Sequence, residues 1–218
     1  AEETRRASGP DERFPWAAST FPIHDPSGLA KALSKAVAGR SWLEWNGAQL
    51  ESDTRSKAAE LERVATEGVK VLKIHAHTQK FDPDDPRVLT LVRRAGELGV
   101  IALIDNASIL PGDCEKLFNL ALKASRTKFI FAHLGGMNFR FWNILQAART
   151  AEGLFGENIY FDISAIVVLI ADSPVADEFV WTMRNVGIDH VLLGSDYPQY
   201  SLAQNLRALD RLGLDESE

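Results

Sequence analysis

Seven short apolar runs recur along the chain: RFPWAAST, SWLEWNG, VKVLKIHAH, VIALIDNA, KFIFAHLG, NIYFDISA and HVLLGSDYP. Helix-like amphipathic segments lie between them, at Leu29 to Ala38, Arg55 to Glu67, Pro86 to Leu98, Asp113 to Ser125, Phe141 to Ala151 and Asp177 to Val186, and Ser201 to Leu212 follows the last run. The spacing is about 25 to 35 residues, the length of one strand-helix unit. Runs such as KFIFA and HVLLG are apolar at consecutive positions, so both strand faces need cover, as in a parallel sheet flanked by helices. Local punctuation agrees: Asp85 before Pro86 reads as an N-cap and first helical residue, and Gly99 after Leu98 as a stop.

Two parallel α/β architectures satisfy this pattern. A doubly wound open sheet binds ligand where strand order reverses, usually with a Gly-rich phosphate loop, and no G-x-G-x-x-G follows an early strand. A (β/α)8 TIM barrel puts chemistry-bearing residues at the C-terminal ends of many different strands. The runs end in that way: His75 and His77, Asp105 and Asn106, His133, Asp162 and Asp196, with Glu44 and Asn46 at the end of LEWNG. A TIM-barrel-like α/β fold, as one domain over residues 1–218, is therefore expected.

Composition narrows the function classes. A net charge of -6 with no Lys/Arg cluster argues against a nucleic-acid binder. The longest apolar stretch, Ile163 to Ala171, is about half of a bilayer span, and AEETRRASGPDERF is too polar to read as a signal peptide. Cys114 is the only cysteine, which excludes an internal disulfide and a cysteine-based zinc site. A small-molecule substrate and a cytoplasmic setting follow as expectations.

The segments GVKVLKIHAHTQKFDPDDPRV, FIFAHLGGMNFRFWN, NIYFDISA and VGIDHVLLGSDYPQYS resemble the amidohydrolase-related TIM-barrel metal-dependent hydrolases, in the right order and through most of the chain. AHLGG and GSDYP are the most specific pieces. The resemblance implies that the visible strands are numbers two to eight, with the first strand, its His-x-His pair and the closing C-terminal helix outside this sequence. It implies a divalent metal, zinc first with manganese or magnesium as alternatives, bound at the barrel mouth by His133, Asp196 and Asp105. Asp105 stands where the family often has the histidine of LIHTG, and a histidine-poor site favours the harder cations. His133 would bind metal or steady an oxyanion, and Asp196 would act as base and ligand. The implied reaction is hydrolysis of a small ester, lactone or amide by a metal-activated water. Decarboxylation of an aromatic acid on the same scaffold is an alternative, and so is a non-catalytic barrel fragment that binds or oligomerises. Unpaired strand edges beside a gap point to a homo-oligomer.

Each candidate also has a bland reading. His75 and His77, on one strand face with Lys73, suit substrate contact, metal ligation or plain hydrogen bonding. Asn106 and Asp162 are assigned to substrate, although Asp162 could equally bond a neighbouring loop. Asp196 could cap a turn, but Pro198 and Ser201 already supply turn and cap chemistry. Phe139, Phe141 and Trp142 either wall a pocket or pack a helix on the barrel. His24 reads as a turn residue, His190 as structural at the opposite face, Cys114 as a small buried side chain, and Asp82 to Pro86 as turn and cap rather than a calcium loop.

Overall fold

The computed structural model describes residues 59–79, 81–151, 156–215 and 217–218. The expected strands RFPWAAST and SWLEWNG, the helix Leu29 to Ala38, and His24, Glu44 and Asn46 lie outside the described residues.

Five strands form one sheet in chain order: β1 (Val71–Ile74), β2 (Ile101–Asp105), β3 (Phe129–Ala132), β4 (Ile159–Asp162) and β5 (Val191–Leu192). Every neighbouring pair is parallel. Helices cross between them: α1 (59–66), α2 (Ala76–Gln79), α3 (Pro86–Glu97), α4 (Asp113–Lys123), α5 (Ile144–Thr150), α6 (Ile166–Ile170), α7 (Ala176–Val186) and, after β5, α8 (Leu202–Asp210). The expected parallel α/β order is what the chain adopts.

Local chemistry sets the helix ends. Asp85 accepts from the Arg87 N–H at 2.8 Å, Pro86 opens α3, and Val88, Leu91, Val92 and Ala95 form its buried stripe at helical spacing. Helix α8 begins with a capping box: Ser201 Oγ accepts from the Gln204 N–H at 3.2 Å, and Gln204 Oε1 accepts from the Ser201 N–H at 2.8 Å.

Alternate strand residues bury against the helices. Ile74, Ala102, Ile104, Phe129, Phe131, Ile159 and Phe161 point to that side. Trp142 stacks on Phe131 at 5.0 Å and meets Phe161 edge-on at 4.9 Å, and Phe139 meets Phe179 edge-on at 5.2 Å. Phe139 and Trp142 are fully buried, so they pack the helix layer instead of lining a pocket.

Two local readings need correction. The first described strand stops at Ile74, because the Gln79 side chain accepts from the His75 N–H at 2.8 Å and the chain coils into α2. His77 therefore lies on a short helix and is exposed, not on a strand face beside His75. The apolar run from Ile163 to Ala171 contains α6, which periodicity did not reveal. The helix expected from Phe141 is present: Phe141 to Asn143 form a 3-10 turn, and α5 continues it from Ile144. No helix among the described residues is long and apolar enough to cross a membrane.

Candidate active site

Sheet register puts the chemistry on one face. Asp105 pairs with Ala132, Ala132 with Asp162, and Asp162 with Leu192. Paired residues in neighbouring strands point the same way, so Asp105 and Asp162 share the face opposite the helix core, about 10 Å apart across β3. One layer deeper on that face run Lys73, Leu103, Ile130 and Tyr160.

Backbone strain collects at the same end of the sheet. Among the described residues the non-glycine positions with positive φ are Ser108 (53°), His133 (66°), Leu134 (47°), Ala165 (60°) and Asp196 (54°). All five lie in the segments after β2, β3, β4 or β5. Such conformations persist only where surrounding contacts enforce them, and they cluster where a site is built. One contact is visible at Gly136, where an added Cβ would come within 2.2 Å of the Ala107 carbonyl oxygen; only glycine lets the two loops pass.

Three expected residues converge. Asp105 Oδ1 lies 3.6 Å from His75 Nε2 and 3.4 Å from His133 Nε2. The Ser164 carbonyl can only accept, so the 2.9 Å contact with His133 Nδ1 fixes a proton on Nδ1 and aims Nε2 at Asp105. Burial alone would raise the Asp105 carboxyl. The hydrogen bond from His133 and the charges of His75 and Lys73 outweigh it and hold Asp105 down at about 2. Burial lowers His75, with Asp105 opposing. Burial also pulls on His133, but the Asp105 and Ser164 hydrogen bonds win and raise it.

Asp196 is set differently. Burial pushes its carboxyl up against the opposing charges of His133 and Lys73. Among the described residues no hydrogen bond engages its carboxylate, while its backbone carbonyl accepts from the Gln199 N–H at 2.9 Å. Lys73, on the inner face, acts on Asp105, His75 and Asp196 alike; sequence reasoning placed it on this face without giving it a role.

The remaining candidates brace the site. Asp162 accepts from the Ser164 N–H at 2.7 Å and from Ser164 Oγ at 2.8 Å. Its carboxylate lies so close to Gly194 that a Cβ there would stand 2.8 Å from Oδ1. Asn106 is buried; with its carboxamide oxygen turned toward them, it accepts from the Trp142 indole N–H at 2.9 Å and the Gly135 N–H at 3.2 Å. The charge of His77 works against protonation of His75. His190 stays at the opposite end, where its Nδ1–H donates to the Ile159 carbonyl at 2.7 Å and its ring stacks on Tyr160. Burial pushes the Cys114 thiol up to about 11, an unreactive setting.

The amidohydrolase family model matches residues 26–218, nearly the whole chain. The chain belongs to the amidohydrolase family. No curated protein matches it. Solved structures share the chain's fold at low identity. The 5-carboxyvanillate decarboxylase of Sphingomonas paucimobilis is 18% identical with a TM-score of 0.58, over 87% of this chain and 66% of that one. The 2,6-dihydroxybenzoate decarboxylase of Rhizobium is 16% identical with a TM-score of 0.57, over 97% and 76%. The dihydroxybenzoic acid decarboxylase of Polaromonas, which holds manganese and 2-nitroresorcinol, is 17% identical with a TM-score of 0.55, over 88% and 69%. The chain spans 66% of the length of the first of these.

A divalent metal is implied for an amidohydrolase, and the donors at the mouth fit one in kind. Imidazole nitrogens and carboxylate oxygens suit zinc or manganese. Metal bonds of about 2.0 to 2.1 Å set neighbouring tetrahedral donors about 3.3 Å apart, close to the 3.4 and 3.6 Å spacings around Asp105. Among the described residues, however, no three His, Cys, Asp or Glu side chains stand as a finished ligand set. Of the expected trio His133, Asp105 and Asp196, the first two stand 3.4 Å apart, Nε2 to Oδ1.

Proposed function

We propose that this mouth carries out metal-dependent decarboxylation of a small aromatic acid, with Asp196 as the proton donor. The observation that carries the reading is the contrast among three aspartates. Asp105 is held by two imidazoles and Asp162 by Ser164, whereas the Asp196 carboxylate has no hydrogen-bond partner among the described residues. A carboxyl left unengaged, with its proton favoured by burial, is suited to exchange that proton with a substrate.

The ammonium of Lys73 makes this face attractive to a carboxylate-bearing ligand. When the C–C bond to the carboxyl breaks, carbon dioxide leaves and the electron pair stays on the ring carbon. That carbon takes the proton from Asp196, which recovers one from water. His133 and Asp105 would hold the cation, with the Asp196 carboxyl beside it. Its chemistry is to draw electron density from the oxygens of the bound acid. The solved decarboxylases with the same fold support this choice over the hydrolysis that the resemblance first implied.

Hydrolysis of a small ester, lactone or amide is the second reading. His133 favours it, because a raised imidazole beside the mouth can steady an oxyanion while Asp196 takes a proton from water. A cytoplasmic location and a homo-oligomer belong to the same proposal; light scattering on the purified protein measures the latter.

The deciding experiment loads the protein with manganese or zinc and follows carbon dioxide release from hydroxybenzoates alongside cleavage of esters and lactones. Release from the acids, cut at least about 100-fold in Asp196→Asn with an unchanged circular dichroism spectrum, is the expected result. Cleavage of esters alone would replace this reading with the second. No turnover of either class would leave a binding module.

A further inference from the structure

Asn205, on α8, was not among the candidates, yet its side chain ties two functional loops together. It is fully buried. Oδ1 accepts from the Ala165 N–H at 2.9 Å, and Nδ2 donates to the Ser195 carbonyl at 3.1 Å and the Ser201 carbonyl at 3.0 Å. One end of this carboxamide therefore holds the loop after β4, and the other holds the residue next to Asp196.

The β4 loop needs holding. Ala165 has φ 60° and ψ -51°, and the Ile166 N–H donates to the Ser164 carbonyl at 2.6 Å across it. This is a γ-turn with positive φ, the rare and strained form. The same Ser164 carbonyl accepts from His133 Nδ1 at 2.9 Å. If the turn relaxed, that carbonyl would swing and the imidazole would lose the acceptor that fixes its tautomer. Asp162 braces Ser164 from one side, and Asn205 braces Ala165 from the other.

We infer that Asn205 is a positioning residue that sets His133 through the strained Ala165 turn and Asp196 through the Ser195 carbonyl. It touches neither the substrate nor the reacting atoms; it fixes the relative placement of the two residues on which the proposed reaction depends. The role rests on the reading of His133 and Asp196 given above, so its test is read from the protein without substrate.

Asn158 supplies the control. It is a buried asparagine whose Nδ2 also donates to two backbone carbonyls, of Ala121 at 3.3 Å and Thr127 at 3.0 Å, but at the other end of the sheet. Asn205→Ala, Asn205→Asp and Asn158→Ala would be compared with the parent at one pH by amide hydrogen exchange and by the ring nitrogen signals of His133. In Asn205→Ala the Ala165 amide is expected to exchange about tenfold faster, the loss of one hydrogen bond, and both the His133 ring signals and the amides of Asp196, Tyr197 and Gln199 to shift. Asn158→Ala should lower stability by a similar amount and move none of them. Asn205→Asp keeps the Oδ1 acceptor and loses the donor, so it should spare Ala165 and shift the Asp196 segment; it also gives the answer if the alanine variant does not fold. Unmoved His133 and Asp196 signals in a folded Asn205 variant, or equal movement in Asn158→Ala, would overturn the inference. Failure of every turnover assay, with these signals behaving as expected, would instead reject the decarboxylase reading and keep the coupling.

Discussion

Asn106 and Asp162 show how side chains beside a site hold the loops that build it. The oxygen of Asn106 takes up the Trp142 indole N–H and the Gly135 N–H, both buried among apolar neighbours. Leucine at this position would strand both donors. Each stranded donor costs about 1 to 3 kcal/mol, so Asn106→Leu is expected to lose about 2 to 6 kcal/mol in urea denaturation. Asn106→Asp keeps an acceptor and should lose less. A loss below about 1 kcal/mol in the leucine variant would show that the two donors find water or other partners. Asp162→Asn offers a milder contrast, since its carboxylate accepts from both Ser164 N–H and Oγ and an amide oxygen can replace only one of those acceptors.

At the scale of elements, helix α3 gives the clearest test because its signals are local. Asp85→Ala removes the acceptor for the Arg87 N–H and should cost about 1 kcal/mol. The Arg87 side chain also holds the Asp85 carboxyl below the usual carboxylate range. A depressed folded-state pKa gives stability that is present above the unfolded value of about 3.9 and is lost as pH falls through the folded value. The difference between parent and variant in chemical denaturation should therefore be full at pH 7 and shrink below about pH 4; a difference growing toward acid would contradict this assignment. The same element shows what the sequence made legible. Asp85, Pro86 and Gly99 mark α3 to within a residue because each acts on its immediate neighbours. His75 and His77 were misjudged because alternation suggests a strand, whereas the Gln79 carboxamide turns the backbone. Helix α6 was hidden in an apolar run that carries no period, and the strained residue before it is set from elsewhere. The ring of strand-end residues was readable, since register follows from the parallel order. Asn205 was not, because its partner Ala165 lies 40 positions away and only the fold brings them together.

For the whole molecule, the mouth links separate parts of the sheet. Asp105 ends β2 and His133 follows β3, so a cation held between them would join strand ends that nothing covalent connects locally. A ligand that binds only the folded chain adds about 2.7 kcal/mol of stability at about 100 times its Kd. For a chain of this size each kcal/mol raises Tm by about 2 to 4 °C. Saturating manganese is therefore expected to raise Tm by about 5 to 11 °C in scanning calorimetry, and a chelator to remove the gain. The gain should fall as pH drops, because protonated imidazoles do not ligate. His133→Ala should lose most of it, while Asn158→Ala, destabilised at the far end of the sheet, should keep it. An equal rise in the parent and in His133→Ala would put the cation elsewhere on the molecule. No rise at any manganese concentration would mean that the donors around Asp105 form an ion-pair cluster, in which the Asp105 carboxylate is satisfied by the two imidazoles alone.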